Sequence, residues 1–270
     1  MRKILRKFRH FLLTLVRLNI VKTLYVNFHC LPFKQAIHLP IHLFGHVAIH
    51  SLRGKITINS NHVESGMILI GYRWLDLFPS SYLTTQLCVS GHLKFCGCCI
   101  ISGGVGLFTQ AKTATMQIGK NVCIGGGSLV KAMNDVVIGD YTRITGNCVV
   151  MDSNMHYVKN IDTGVIKKPW GRIEIGRYCW VNSGSVVTKG TILPDYSVTA
   201  RNAFLNKDYS ENGTNLFLVG APAKITSARV QRIFSRSKEL ELHHFFMVEH
   251  PEAEEATLEP GIEQDSCNPF

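Results

Sequence analysis

Acidic residues are missing from the start of this chain. Nothing before Glu64 is Asp or Glu, whereas ten Lys and Arg precede it, as many as the whole formal excess of +10. The far end has the opposite gap: from Glu249 onward there are seven acidic residues and no Lys or Arg. Histidine is scarce in the middle, where only His156 lies between His92 and His243. Seven of the twelve histidines precede residue 63, but no carboxylate or cysteine cluster accompanies His38, His42, His46 and His50, so no metal is expected there. Among the nine cysteines, Cys96, Cys98 and Cys99 cluster, yet a second pair at zinc spacing is lacking. Reduced structural thiols in a cytosolic protein are the expectation.

Long apolar runs are lacking too. The stretch from Phe11 is short and broken by Arg17, so it does not read as a membrane span, and without a small-residue cleavage site it does not read as a signal peptide. Residues 1–24 read instead as a basic amphipathic helix, with Arg2, Lys3, Arg6, Lys7 and Arg9 beside Ile4, Leu5, Phe8, Leu12 and Leu13. Such a helix either lies in a membrane interface held by anionic lipid or packs on the domain or a partner subunit. No nucleic-acid recognition module follows it, so a nucleic-acid partner is not expected.

What the middle does contain is a six-residue step. Aliphatic or aromatic residues recur at Val89, Phe95, Ile101 and Leu107, at Ile118, Ile124 and Val130, at Ile138, Ile144 and Val150, and at Ile175, Val181, Val187 and Leu193. Four positions after each, the residue is usually small, as at Cys99, Ser128, Thr142, Cys148, Cys179, Ser185, Thr191 and Ser197. Six fits neither the helical 3.6 nor strand alternation; it is the period of a parallel β-helix built from hexapeptides. Each hexad supplies a short strand with one inward side chain and one tight corner, and stability comes from stacking coil on coil. A β-sandwich would space its strands more widely and join them by hairpins. In this register Gly103-Gly104-Val105-Gly106 is a coil corner, not a phosphate loop.

The expected organisation follows. The chain is all-β, with an amphipathic helix over 1–24, a transitional segment over 25–88 whose Ile56, Ile58, Ile68 and Ile70 suggest strands leading into the first coils, and repeats over 89–224. Residues 157–172 form an excursion loop. A C-terminal helix is expected over 225–247, with Ile225, Val230, Ile233, Phe234 and Leu240 on one side, and an acidic, disordered tail over 248–270. His156, in Met151-Asp152-Ser153-Asn154-Met155-His156, sits where the last regular hexad gives way to that loop. Loops on rigid scaffolds favour catalysis, and a surface histidine at a coil's end is the alternative.

Three blocks carry a resemblance: Asp152 to His156 followed by a loop; Ile173-Glu174-Ile175-Gly176-Arg177-Tyr178-Cys179-Trp180-Val181-Asn182-Ser183; and Gly220-Ala221-Pro222-Ala223-Lys224. In this order and spacing, over about residues 89–226, the chain resembles the hexapeptide-repeat acyltransferases, in particular their sugar O-acetyltransferase branch. The resemblance implies a left-handed parallel β-helix, a homotrimer with sites between neighbouring prisms, and transfer of an acetyl or short acyl group from acyl-coenzyme A (acetyl-CoA) to a hydroxyl of a sugar or surface-polysaccharide precursor, with no metal. An N-acyltransferase acting on an amino sugar and a non-catalytic scaffold are the other readings. A zinc hydratase like the γ-class carbonic anhydrases would need three imidazoles where the coils offer one.

The resemblance also implies roles. His156 would be the general base and Asp152 its orienting carboxylate, a turn-capping side chain being the alternative for Asp152. Ser183 would donate to the oxyanion and contact the cofactor together with Arg201, Asn206, Lys207 and Lys224. Trp180 would line the acceptor or pantetheine cleft or simply pack. The chain departs from the family at Asn182, where Gly is commoner, at Asn154, where an acidic residue is common, and in a polar insertion over 208–215. The expected location is the cytoplasm, peripheral at the inner face of the membrane if residues 1–24 bind lipid.

Overall fold

Inward aliphatic side chains stacking coil on coil decide the architecture. The computed structural model describes residues 17–73 and 83–258. Strands are numbered in chain order and fall into three sheets, one per face of a prism. The first face holds β1 (Ile41–Leu43), β4 (Ile68–Tyr72), β7 (Cys99–Ser102), β10 (Val122–Ile124), β13 (Arg143–Ile144), β16 (Trp180–Val181), β19 (Val198–Thr199), β21 (Leu216–Val219) and β22 (Lys224–Arg229). The second holds β2 (Val47–Ser51), β5 (Thr85–Val89), β8 (Gly106–Thr109), β11 (Leu129–Ala132), β14 (Val149–Met151), β17 (Val186–Thr188) and β20 (Phe204–Leu205). The third holds β3 (Lys55–Ile58), β6 (His92–Phe95), β9 (Thr115–Ile118), β12 (Asp135–Ile138), β15 (Ile173–Ile175) and β18 (Ile192–Leu193). From β1 to β20 successive strands visit the three faces in turn and pair in parallel with their counterparts in the neighbouring coils, as β7–β10 and β11–β14 do. This is a three-sided parallel β-helix.

Register confirms the six-residue reading. Ile101, Ile124, Ile144 and Val181 stack on the first face, Leu107, Val130, Val150, Val187 and Leu205 on the second, and Phe95, Ile118, Ile138, Ile175 and Leu193 on the third. None of them is more than 1% exposed. Burial at this level stabilises by about 1.5–3 kcal/mol per side chain, the column being the unit that collects it. Corners demand tight packing of a different kind: a Cβ on Gly139 would sit 2.6 Å from the carbonyl carbon of Gly176 one coil on. That close approach explains the repeated Ile-Gly dipeptides.

The corner between the third and first faces carries a column of residues in the left-handed region: Asn121, Tyr141, Tyr178, Tyr196 and Asn215. Tyrosine is a poor choice for this conformation, which costs roughly 1–2 kcal/mol per residue. Here the rings stack, Tyr141 on Tyr178 at 4.7 Å and Tyr178 on Tyr196 at 5.2 Å, and Phe234 meets Tyr178 edge-on at 5.3 Å. Ring pairs add about 0.5–1.5 kcal/mol each beyond the burial of their faces, which offsets much of the strain.

Both ends depart from expectation. The first coil begins at Ile41, so β1 to β3 over Ile41–Ile58, β4 (Ile68–Tyr72) and β5 (Thr85–Val89) already belong to the prism, ahead of the expected start at residue 89. A register shift between Ile49 and Ser51 and long corners break the six-residue step there. Of residues 1–24, the first sixteen lie outside the described residues; helix α1 spans Ile20–Cys30 and the short α2 spans Phe33–Ala36. At the other end, Lys224–Arg229 is strand and not helix, because β22 folds back antiparallel on β21. Residues 230–235 then cross the first face as an extended strap, and helix α3 occupies Arg236–His244. The tail beyond residue 258 lies outside the described residues.

Candidate active site

The excursion loop leaves the prism at the corner between the second and third faces, between β14 and β15. Its base is clamped: Ser153 bridges Trp170, the Asn154 N–H donates to the Pro169 carbonyl (2.9 Å), and the Gly171 N–H donates to the Asp152 carbonyl (2.9 Å). Farther out, Lys159 bridges Ile166 and the Asn160 N–H reaches the Val165 carbonyl (2.9 Å), so the arm is a narrow hairpin with Gly164 at φ +71 in its turn.

His156 lies on this arm, exposed, and among the described residues nothing hydrogen-bonds or ion-pairs with its ring. It lines a cavity of ≈ 600 Å³ together with Asn154, Val158, Lys167, Pro169 and Lys189. Lys189 belongs to the next coil's corner, where its Nζ donates to the Lys168 carbonyl (2.9 Å) and ties the arm to the scaffold. Sequence reasoning did not single out Lys189, although its place two residues after the inward Val187 marks it as a corner residue.

Asp152 requires a correction. Its side chain is fully buried and faces backward along the prism, accepting the N–H groups of Met133 (2.8 Å), Asn134 (2.7 Å) and Asp135 (2.8 Å). Burial pushes its carboxyl above the ordinary value while those three N–H groups pull the other way. The carboxylate therefore caps the turn between β11 and β12 and does not orient the histidine. It still serves the site, by fixing the root of the arm.

The other expected residues lie on different edges. Ser183 sits at the corner between the first and second faces, its N–H donating to Asn182 Oδ1 (2.8 Å) and its hydroxyl to Thr145 Oγ1 (3.1 Å). Both candidate oxyanion donors of Ser183 are thus engaged within this chain. Arg201 is exposed one coil on at the same corner, where the Asn202 N–H donates to the Ser183 carbonyl (3.0 Å). Asn206 and Lys207 are exposed past β20, at the edge that carries the arm, and Lys224 is exposed at the start of β22. Trp180 is half-buried in β16 beneath the strap, with the Arg232 guanidinium 5.8 Å from its ring and 5.2 Å from that of Phe234. In this chain its ring packs. A single protomer brings together His156, Lys189 and the arm, and leaves Ser183 and Trp180 elsewhere.

A second cavity of ≈ 620 Å³ opens lower on the arm's edge, lined by Arg53, Lys55, Ser90, His92, Gln110 and Lys112. Among the described residues no carboxylate pairs with these cations. Burial, then Lys94 and Lys55, lower the His92 pKa below its ordinary value, and its Nε2 contacts Thr57 Oγ1 at 2.9 Å. Also among the described residues, no group of three or more His, Cys, Asp or Glu is placed to hold a metal ion.

No protein-family model matches the chain, and no curated protein matches it. Similar solved structures include the polySia specific acetyltransferase NeuO, at 15% identity and TM-score 0.46, the match covering 76% of this chain and 97% of that one. The polysialic acid O-acetyltransferase OatWY matches at 16% identity and TM-score 0.35, over 74% of this chain and 99% of that one. AntD, an N-acyltransferase from Bacillus cereus in complex with dTDP and 3-hydroxybutyryl-CoA, matches at 11% identity and TM-score 0.38, over 79% and 89%.

Proposed function

We propose that this chain transfers an acetyl or short acyl group from acyl-coenzyme A to a hydroxyl of a sugar or surface-polysaccharide precursor. The observation that carries the reading is an exposed imidazole, without a hydrogen-bond partner among the described residues, on the wall of a cavity and held by a clamped arm on a rigid prism. A sugar hydroxyl is a weak nucleophile. His156 takes its proton as the oxygen attacks the thioester carbonyl carbon, and returns it to the sulfur as the C–S bond breaks. Arg201, Asn206, Lys207 and Lys224, all exposed on the last coils, supply candidate contacts for the cofactor's phosphates and pantetheine.

The arm and the Ser183 corner occupy different edges of one prism, so a site using both needs a second copy; this supports a homotrimer with sites between protomers. Arg53, Lys55 and Lys112 on the arm's edge, which no carboxylate pairs among the described residues, suit an acceptor bearing carboxylate or phosphate groups.

Calorimetry with acetyl-coenzyme A, followed by thiol release against neutral and acidic glycans, tests the proposal. Cofactor binding with thiol release on an acidic glycan is the expected result. Release only with amino sugars would move the reading to N-acylation, and absence of cofactor binding would leave a scaffold protein.

A further inference from the structure

A β-helix needs something over its open end, and α1 supplies it. Its inner face is fixed by hydrogen bonds to the first coil: Asn27 Nδ2 donates to the Ile41 carbonyl (2.7 Å), the Ile41 N–H to Asn27 Oδ1 (3.1 Å), and the Leu43 N–H to Thr23 Oγ1 (3.0 Å). Lys22 Nζ adds a bond to the Val47 carbonyl (2.6 Å). With Val26 and Thr23 turned to the core, the outer face of such a cap should be polar. It is not.

Ile20, Val21, Leu24, Tyr25 and Phe28 are exposed along α1, and Phe33 and Ile37 continue the patch, with Val21 77% and Phe33 73% exposed. Patches of this kind mark docking surfaces. Exposed Arg17, Lys34, Arg53 and Lys55 flank the patch in the chain and no acidic residue precedes Glu64; Glu64 itself, in the loop whose Gly66 N–H donates to the Leu39 carbonyl (3.1 Å), pairs with His62 (3.2 Å). Two copies meeting through this face would oppose like charges, which disfavours self-association. Residues 2–9 bring the same sign, with Arg2, Lys3, Arg6, Lys7 and Arg9. Exposed aliphatic and aromatic side chains in a stretch of chain rich in Lys and Arg suit the surface of an anionic bilayer, where apolar burial and headgroup attraction act together.

We propose that α1 and α2 dock this end of the prism onto anionic lipid. The prism axis then stands away from the membrane. His156 emerges from the fifth coil, four coil steps from the first, which at the ordinary strand spacing is roughly 20 Å from the capped end. The docked enzyme would reach acceptors held near the membrane surface. Docking is independent of the acyl-transfer reading, and an assay on a soluble acceptor keeps their failures apart.

The full chain is sedimented with vesicles of phosphatidylcholine alone or mixed equally with phosphatidylglycerol, at low and high salt. The comparison is a double variant, Val21→Asp with Phe33→Asp, at two outward positions that make none of the capping hydrogen bonds. Wild type should pellet with the anionic vesicles, more at low salt. The double variant should partition at least tenfold less while keeping its circular dichroism melt and its turnover on soluble acceptor. Equal pelleting of the double variant would assign lipid binding elsewhere and overturn the proposal. Wild type that ignores vesicles but sediments as a larger species, resolved by the same two substitutions, would make the face a contact between copies and overturn it as well.

Discussion

Replacing Asp152 distinguishes a carboxylate that holds backbone from one that serves the histidine. Asp152→Ala removes the acceptor of three N–H groups, those of Met133, Asn134 and Asp135. Leaving a buried donor unmet costs about 1–3 kcal/mol. These three residues are themselves half-exposed, so water can reach the vacated corner and the lower figure applies to each. The loss is therefore about 3 kcal/mol, or roughly 6–12 °C in Tm at the 2–4 °C per kcal/mol of a chain this size. Asp152→Asn keeps one acceptor oxygen but turns an amide NH2 toward the donors, for a loss of about 2 kcal/mol. Thermal unfolding by circular dichroism measures both, and thiol release across pH 5–9 measures the histidine. The capping role predicts a lower Tm in both variants with the midpoint of the pH–rate profile unmoved in the Asn variant. An Asn variant that melts like wild type and shifts that midpoint would refute the assignment.

Other outcomes follow from the same coordinates. His156→Ala should lower turnover by roughly 10²–10⁴ without weakening cofactor binding; a fully active variant removes it as the base. Tyr178→Ala should cost about 3 kcal/mol by opening the ring stack, whereas Tyr178→Phe keeps the stack and should melt within about a degree of wild type. Equal damage from both would mean the hydroxyl matters, against its lack of a hydrogen bond among the described residues. Burial pushes the Cys179 thiol up to about 12, that of Cys148 up to about 11, and that of Cys99 well above its ordinary value. At pH 8 a thiol with the Cys179 value is thiolate in only about one molecule in ten thousand, so native alkylation should spare these three until the chain unfolds.

The repeats were legible because one side chain per hexad must point inward, which writes the fold's period directly into residues such as Ile118, Ile124 and Val130. The same rule failed at Ile41–Ile58, where a bulge and longer corners shift the phase without changing the stacking. Lys224–Arg229 misled for a related reason: Ile225, Val230 and Ile233 fit a helical stripe, but an open sheet edge beside β21 captured the segment as strand. At the site, His156 was visible as a lone imidazole in the coils. The destination of the Asp152 carboxylate was not, because it depends on which turn lies beneath it, some twenty residues away. Lys189 and the cationic edge likewise come together only through stacking.

The backward turn of β22 also governs what the prism cannot become. Parallel coils present the same ladder at top and bottom, a geometry that invites copies to add head to tail into an open-ended filament. On the first face a strand running the other way, with Lys224 and Arg229 at its two termini, breaks the run of parallel pairing and places charge on the terminal edge. With α1 seated against β1 on the opposite end, the first face is covered at both of its ends.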